Sequence, residues 1–330
     1  MKDKVKVAII DSALTKYYIA EETMISEYIS LKMIKREGVY LDEIEIDRNN
    51  DMEKGEIPSH ATGVLNTIVK YTKGIDVDFS IYDVFDDNGV SSGAVIIEAC
   101  EMIMKRNIDV VVMSLTCSRD YKEEFEVIIE EFRKKEIIFI CAGDNHYKNN
   151  FPADMIGVLG VQAGDKKYIG GYRYSPLKKM QFESDVQGEF VGRKGRYHFF
   201  FGTSKATAIV AGFLIEYIFF NGKNKTREFL LEEQEQLKEK KKIVNNKHIN
   251  DDNKYNELLN SFCKIFNIDQ EEMSSENMDR IIPWNIRNIR MLEMFLDINM
   301  IDIELDSLHF DDFSTVRNLM NTCLARIKNV

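Results

Sequence analysis

The stretch FFGTSKATAIVAG, Phe200–Gly212, places a serine between a tight turn and an apolar helix. Gly202 and Thr203 predict the turn, and Ser204 begins a run of small and apolar residues that predicts a buried helix. A serine at a helix start is usually a cap, because its hydroxyl accepts a hydrogen bond from a backbone N–H of the first turn. The same place also directs N–H groups and the positive end of the helix dipole toward a developing negative charge. Ser204 is therefore a cap or a nucleophile.

The apolar run from Phe199 to Phe220 is long enough to suggest a membrane span. It carries Lys205 and Glu216, however, and it begins with the Gly-Thr-Ser turn. These features favour the buried helix of a soluble domain, and we expect no membrane among the partners of the chain.

Upstream of this helix, apolar strands alternate with amphipathic helical stretches. The predicted strands are Val5–Ile10, Phe79–Phe85, Val110–Leu115, Ile137–Ala142 and Met155–Ala163. The predicted helices are His60–Tyr71, Gly93–Arg106 and Tyr121–Lys135. Continuous apolar strands separated by helices are typical of a mostly parallel sheet that is covered on both faces. The pattern therefore predicts an α/β fold, whose sites form at the carboxyl ends of the strands.

Two further residues stand at boundaries of these elements. Asp11 closes the first strand, in VKVAIIDSA, and His60 opens the first helix, in SHATGVLNTI. Each alone is commonly a turn, cap or structural residue. With Ser204 they supply a nucleophile, a base that takes its proton, and a carboxylate that orients the imidazole and stabilises its cation. We therefore predict that Asp11, His60 and Ser204 form a catalytic triad, in that chain order.

The segments around these residues resemble the motifs of the subtilisin-like serine peptidase (subtilase) family. GTSKATAIVAG is similar to GTSMATPHVAG, with Ala208 at the usual proline, and HATGVLNTI is similar to HGTxVxGTI, with Ala61 and Asn66 at two usual glycines. VKVAIIDSA, IDVVVMSL and FPADMIGVLGVQA resemble three further segments of the family, so the resemblance covers about residues 5–220. It implies an α/β, subtilisin-like three-layer fold with a mostly parallel sheet. It also implies a serine endopeptidase that works through an acyl-enzyme on a peptide or protein substrate.

The resemblance also implies where the substrate binds. In the family the end of the strand that corresponds to IDVVVMSL lines the substrate groove, which here gives Ser114, Leu115 and Thr116. A peptide would lie extended beside this strand and add a strand to the sheet.

The oxyanion hole is the main departure from the family pattern. The family normally supplies an asparagine from a motif like AAGN, whereas this chain has ICAGDNHY, in which Asp144 takes that place and Asn145 follows. An ionised carboxylate would repel an oxyanion, and loss of one donor costs about a hundred- to a thousandfold in rate. Either Asn145 reaches the site through a one-residue shift, or a protonated Asp144 donates, or turnover is slow. Asp144 also supports the alternative function, a pseudopeptidase or peptide-binding scaffold in a biosynthetic complex.

Composition excludes some functions and indicates a compartment. The formal net charge of -11 argues against a nucleic-acid binder, which needs a basic surface. Five scattered cysteines without a CxxC pair, and a start that lacks a secretory signal, predict a cytoplasmic protein with reduced thiols. No histidine, cysteine or carboxylate spacing matches a metal site, so we expect no metal and no cofactor.

The C-terminal part differs in composition from the rest. We predict a peptidase domain at residues 1–220, a charged helix and linker at 221–254, and a small all-α domain at 255–330. The last segment resembles a degenerate acyl carrier domain, with Asn285 where a carrier has its modified serine. Ser307 lies in an Asp-Ser-Leu triplet too close to the final helix to replace it. The resemblance implies docking of a biosynthetic partner enzyme or a peptide precursor, and hence leader removal from a ribosomally made peptide; an unrelated helical appendage is the alternative.

Overall fold

The computed structural model of the protein describes residues 4–36, 39–48, 55, 57–72, 74–146, 149–164, 170–226, 230, 234–236, 252–269, 278 and 282–327. The chain divides into two compact units, Met1–Val186 with Phe201–Gln236, and Gln187–Phe200 with Leu237–Val330. We call the first the peptidase unit, after the predicted peptidase domain that makes up most of it, and the second the helical unit.

The peptidase unit is built on a ten-stranded sheet. Its strands are β1 (Val5–Asp11), β2 (Met24–Arg36), β3 (Val39–Asp47), β4 (Val77–Asp83), β5 (Val110–Met113), β6 (Ile138–Ala142), β7 (Leu159–Ala163), β8 (Tyr172–Tyr174), β9 (Phe182–Ser184) and β12 (Gln234–Gln236). Its helices are α1 (His60–Tyr71), α2 (Gly93–Met104), α3 (Lys122–Lys134) and α4 (Thr203–Asn221). Short 3-10 turns are left out of this numbering.

The sheet is parallel in its centre and antiparallel only at its edges. The strand order is β12-β8-β9-β7-β6-β5-β1-β4-β2-β3, and every neighbouring pair from β9 to β2 is parallel. The outer pairs β2–β3, β8–β9 and β8–β12 are antiparallel. The predicted mostly parallel α/β sheet is therefore confirmed.

Helices cover both faces of the sheet, which gives the three layers that the sequence predicts. One face packs against α2 and α3 through alternate strand residues such as Ala8, Ile10, Val111 and Met113. The other face receives α4, which contacts β5, β6, β7 and β9 and also packs against α1. Central strands are apolar throughout because both of their faces are buried.

The predicted strands differ from the observed strands at their ends, most of all at Phe79–Phe85 and Met155–Ala163. The predicted strand Phe79–Phe85 is observed as Val77–Asp83, in register with the whole of β1. The predicted strand Met155–Ala163 begins only at Leu159, because the preceding residues form turns in which Met155 N–H donates to Pro152 O and Val158 N–H donates to Met155 O. The β2–β3 hairpin and the short strands β8, β9 and β12 add to the sheet at positions that the sequence analysis leaves without strands.

Helix α4 is the one helix in the described part of the chain that is long and apolar enough to cross a membrane. It is mostly buried among the strands and α1, and residues from Thr203 to Gly212 have almost no exposed surface. The buried part of this helix belongs to the core of the peptidase unit, whereas Phe220 near its end is exposed.

The helical unit contains helices α5 (Asp252–Phe266), α6 (Ile286–Ile298), α7 (Phe310–Phe313) and α8 (Val316–Leu324), in accord with a small helical C-terminal region. Strands β10 (Glu189–Val191) and β11 (His198–Phe200) form a hairpin that belongs to the same unit. Phe190 of this hairpin is fully buried beside Trp284 and Phe313. The predicted domain boundary at residue 220 assigns this hairpin to the peptidase domain instead, and most of the predicted linker at 221–254 lies outside the described residues.

The close approach of α1 and α4 makes Gly212 sensitive to added volume. A Cβ atom on Gly212 would lie 2.5 Å from Cβ of Tyr71, so a side chain there pushes the two helices apart. We expect Gly212→Val to lower the free energy of unfolding by about 1–3 kcal/mol, measured by urea denaturation. Glu216→Ala, on the same helix, is the control. An unchanged midpoint for Gly212→Val would contradict this packing.

Candidate active site

The first part of the site is an aspartate–histidine pair at the end of β1. Asp11 is completely buried, and its Oδ1 and Oδ2 lie 2.8 and 3.0 Å from Nδ1 of His60. The N–H of Ser12 also donates to Oδ1 of Asp11, at 2.7 Å. A carboxylate on Nδ1 holds the ring so that its other nitrogen, Nε2, faces away and is able to accept a proton.

Local hydrogen bonds fix the start of α1, where His60 lies. Ser59 caps the helix by accepting from Thr62 N–H, and Ser12 Oγ accepts from Ala61 N–H at 3.1 Å. Thr62 Oγ1 accepts from the N–H of Thr15 at 2.8 Å. The loop after β1 and the first turn of α1 are therefore tied together. Sequence analysis missed Ser12 and Thr62 in this role, although both stand next to motif residues.

Asp11 sets the protonation behaviour of His60. Partial burial lowers the pKa of the imidazole, but the charge of Asp11 and its hydrogen bond raise it, and the result is a pKa above the ordinary 6.5. The His60 side chain keeps 44% of its surface exposed, so solvent and a substrate reach it. An imidazole whose pKa is raised by a carboxylate on Nδ1 is a stronger base toward the proton of a serine hydroxyl.

Ser204 lies in the first turn of α4, after a glycine that ends the preceding segment. Gly202 is the N-cap of α4 and has a φ of 88°, a conformation that disfavours other residues. Ser204 is 8% exposed, and its hydroxyl donates to the carbonyl oxygen of Ser114 at 3.3 Å. The first-turn N–H groups of a helix have no partner within the helix, so they are available to a negative charge.

Strand register brings the two parts of the site side by side. Ile10 of β1 pairs with Met113 of β5, so Asp11 and Ser114 directly follow paired residues at the carboxyl edge of the sheet. Neighbouring strands are about 4.8 Å apart. The Asp11–His60 pair and the Ser204–Ser114 contact therefore belong to adjacent strand ends.

The predicted substrate residues follow β5 at the same edge. Ser114 is buried, Leu115 is half-buried and Thr116 is exposed, so the segment rises from the core to the surface. Cys117 then returns to the interior, where its N–H donates to the carbonyl oxygen of Phe151 at 2.9 Å. The three residues thus form a short, firmly anchored surface segment beside Ser204.

The two oxyanion candidates have different surroundings. Asp144 accepts hydrogen bonds from the N–H groups of His146 and Asn149, one on each carboxylate oxygen. Asn145 Oδ1 instead accepts from the N–H and the hydroxyl of Thr203, at 2.9 and 3.1 Å. The neighbour of Ser204 is therefore contacted by Asn145, whose Nδ2 lies on the opposite side of the amide and is able to donate. This geometry favours the one-residue shift over a protonated Asp144.

No group of three histidine, cysteine, aspartate or glutamate side chains in the described residues is arranged to hold a metal ion.

The model of the subtilase family matches residues 2–262 of this sequence. The chain belongs to the subtilase family. Subtilases of this kind are serine peptidases, which hydrolyse peptide or protein substrates. No curated protein matches the sequence.

Solved subtilase structures resemble the chain in fold. The epidermin leader peptide processing serine protease EpiP from Staphylococcus aureus is 18% identical with a TM-score of 0.51, over 69% of this chain and 68% of that chain. The nisin leader peptidase NisP from Lactococcus lactis is 16% identical with a TM-score of 0.47, over 69% and 82%. A lanthipeptide protease is 17% identical with a TM-score of 0.47, over 68% and 75%. The likeness to EpiP shows a shared subtilase fold.

The Asn145 contact generates a test of the oxyanion hole in this subtilase. We expect Asn145→Ala to lower the maximal rate of fluorophosphonate labelling by about a hundred- to a thousandfold. Asp144→Asn is the comparison and should give no gain in that rate, because both oxygens of Asp144 accept from N–H groups of its own loop and an amide keeps only one acceptor for them. A large gain in Asp144→Asn would contradict the assignment and place residue 144 at the oxyanion.

The raised pKa of His60 predicts the pH dependence. Only the neutral imidazole accepts a proton, so labelling should fall as the pH drops, with a midpoint above 6.5. Asp11→Asn removes the charge that raises the pKa, so the midpoint should move to lower pH and the maximal rate should fall by about 10⁴-fold. Rates measured between about pH 5 and 9 test this. Asp83→Asn, at the buried carboxylate paired with Asp11 across β1–β4, should keep the wild-type midpoint.

Proposed function

We propose that this subtilase is a serine endopeptidase in which Asp11, His60 and Ser204 form the catalytic triad. The observation that carries the proposal is the Asp11–His60 pair, with oxygen–nitrogen distances of 2.8 and 3.0 Å, beside a strand end that holds Ser204 at the start of α4. These are the three groups that acyl transfer requires, at adjacent strand ends of one rigid sheet.

The proposed reaction begins when the hydroxyl oxygen of Ser204 attacks the carbonyl carbon of the scissile peptide bond. Nε2 of His60 takes the hydroxyl proton, and Asp11 stabilises the imidazolium that forms. The tetrahedral oxyanion accepts hydrogen bonds from the Ser204 backbone N–H and from Nδ2 of Asn145. The C–N bond then breaks as His60 protonates the leaving amine. In the second half of the reaction His60 takes a proton from water, whose oxygen attacks the acyl carbon. The ester bond to Ser204 then breaks, and His60 returns the proton to the serine oxygen.

The proposed substrate is an extended peptide that lies along Ser114, Leu115 and Thr116. Backbone pairing of a peptide with a strand end supplies affinity without depending on its side chains, which suits cutting within a chain. The half-buried Leu115 and the exposed Thr116 are available to contact substrate side chains. This arrangement supports endopeptidase rather than terminal cleavage.

We propose that the substrate is the leader of a ribosomally made peptide, cut in the cytoplasm. EpiP, which shares the fold, is a leader peptide processing protease by its description. All five cysteines are buried free thiols, as expected for a protein that works in a reducing compartment.

We further propose that the helical unit docks a biosynthetic partner or the precursor itself, as a carrier-like module without a prosthetic group. Asn285 caps α6 by accepting from the N–H of Asn288, at the helix start where a carrier has its modified serine. Ser307 ends the 3-10 turn Leu305–Ser307 and does not open a long helix. Both observations support a module that binds without carrying phosphopantetheine.

The alternative function, a pseudopeptidase, depends on Asp144 facing the oxyanion. Asp144 directs both carboxylate oxygens to N–H groups of its own loop, which weighs against that alternative. The peptidase is therefore the function that the geometry supports best.

Labelling with a fluorophosphonate tests the proposal. We expect wild-type protein to label and Ser204→Ala to lose labelling completely, whereas Ser307→Ala, a serine of the helical unit, should label like the wild type. Cleavage of a precursor peptide with both ends blocked, read by mass spectrometry, then tests for internal cutting. If the folded wild type neither reacts with the fluorophosphonate nor cleaves the peptide, the pseudopeptidase becomes the better supported function.

A further inference from the structure

A buried ion pair lies directly beside the proposed nucleophile. Lys205 is fully buried, although it carries a charge and directly follows Ser204 in a mostly apolar helix. Its Nζ lies 2.8 Å from Oδ2 of Asp185, which directly follows β9 and is also buried. Asp185 accepts a second hydrogen bond from the N–H of Gly170, at 3.1 Å. The pair therefore ties the first turn of α4 to the end of a sheet strand.

The two residues of this pair lie on either side of a segment that belongs to the other unit. Residues 187–200 leave the peptidase unit and belong to the helical unit, so the chain exits after Val186 and returns at Phe201. We call the segments on the two sides of this excursion, residues 185–186 and 201–205, the neck. Two contacts join the two segments of the neck. Gly202 N–H donates to Val186 O at 2.9 Å, and Lys205 pairs with Asp185.

The residues on both sides of Ser204 are held by hydrogen bonds. The helix start has no side-chain cap, since its N-cap is Gly202, which is conformationally free. Asn145 holds the residue before Ser204, through Thr203, and Asp185 holds the residue after it, through Lys205. The residues on both sides of Ser204 are thus contacted by side chains from segments that follow sheet strands, Asn145 after β6 and Asp185 after β9.

We propose that Lys205 is a positioning residue that fixes Ser204 through Asp185; the inference rests on the proposed function, because it takes Ser204 as the nucleophile. Stability alone does not explain the pair, since a buried ion pair is often replaced by apolar residues without loss of stability. The directional contact between Lys205 and Asp185 holds the first turn of α4 in one position. Catalysis is sensitive to such positions, because a displacement of about 1 Å costs about a hundredfold in rate.

The central test replaces both partners, so that no unpaired charge is left buried. The double variant Lys205→Met/Asp185→Leu should keep the wild-type unfolding midpoint. Its maximal fluorophosphonate labelling rate should fall by about a hundredfold, with an unchanged half-saturating concentration. Glu27→Gln/Arg106→Met removes another ion pair of the same unit, one that does not involve α4, and should label like the wild type.

A second variant covers the case in which the double variant fails to fold. Asp185→Glu keeps the charge but lengthens the tether by one carbon, and it should lower the maximal rate by about a hundredfold. Wild-type maximal rates in the folded variants would overturn the proposal. Lys205 and Asp185 would then only compensate each other's buried charge and would not position Ser204.

Hydrogen exchange separates this inference from the proposed function. Amides of residues 202–206 should exchange faster in Asp185→Glu and in the double variant than in the wild type, whether or not the wild type labels. A wild type that does not label overturns the assignment of Ser204, whereas unchanged exchange at 202–206 overturns the positioning role of Lys205.

Discussion

The parallel pairing of β1 with β5 is the constraint on which the candidate site depends. A parallel sheet turns the carboxyl ends of all its strands to one edge, and the register of Ile10 with Met113 sets Asp11 and Ser114 at the same level there. The carboxylate of Asp11 then binds Nδ1 of His60, and the carbonyl oxygen of Ser114 accepts a hydrogen bond from the hydroxyl of Ser204. Residues far apart in the chain meet because two short apolar strands pair in one register, and a shift of that register would separate them.

Two buried charges near the candidate site, those of Asp11 and Lys205, each lie beside a backbone group or an opposite charge. Asp11 has the Ser12 N–H and His60, and Lys205 has Asp185, which also holds the N–H of Gly170. Each arrangement offsets the desolvation cost that an isolated charge would carry in the core. Both also join a helix start to the end of a strand. The same interactions that make these charges tolerable therefore fix the direction of the side chains that the chemistry needs.

Local pattern predicts the central elements and the triad candidates, but not the edges of the sheet. Helix α1 has the predicted bounds His60–Tyr71, since Ser59 and the apolar spacing define it locally. The β2–β3 hairpin alternates polar and apolar residues and owes its place to pairing with β4, a contact between distant segments. The hairpin at residues 187–200 is similar: nothing local to Phe190 indicates that its partners are Trp284 and Phe313. Elements whose position depends on contacts with distant segments cannot be predicted from the local sequence pattern.

The oxyanion candidates show how such distant contacts decide between two adjacent residues. Alignment alone assigns the place to Asp144, whose charge is wrong for it. The loop resolves this conflict because two backbone N–H groups, of His146 and Asn149, need acceptors, and a carboxylate has one oxygen for each. With Asp144 turned inward, Asn145 reaches Thr203. The carboxylate is thus suited to organising the loop, and the amide, which carries both an acceptor and donors, is suited to bind Thr203 while still offering an N–H to a substrate. An aspartate at the family's asparagine position is therefore compatible with the proposed catalysis, because the adjacent Asn145 contacts the residue before Ser204.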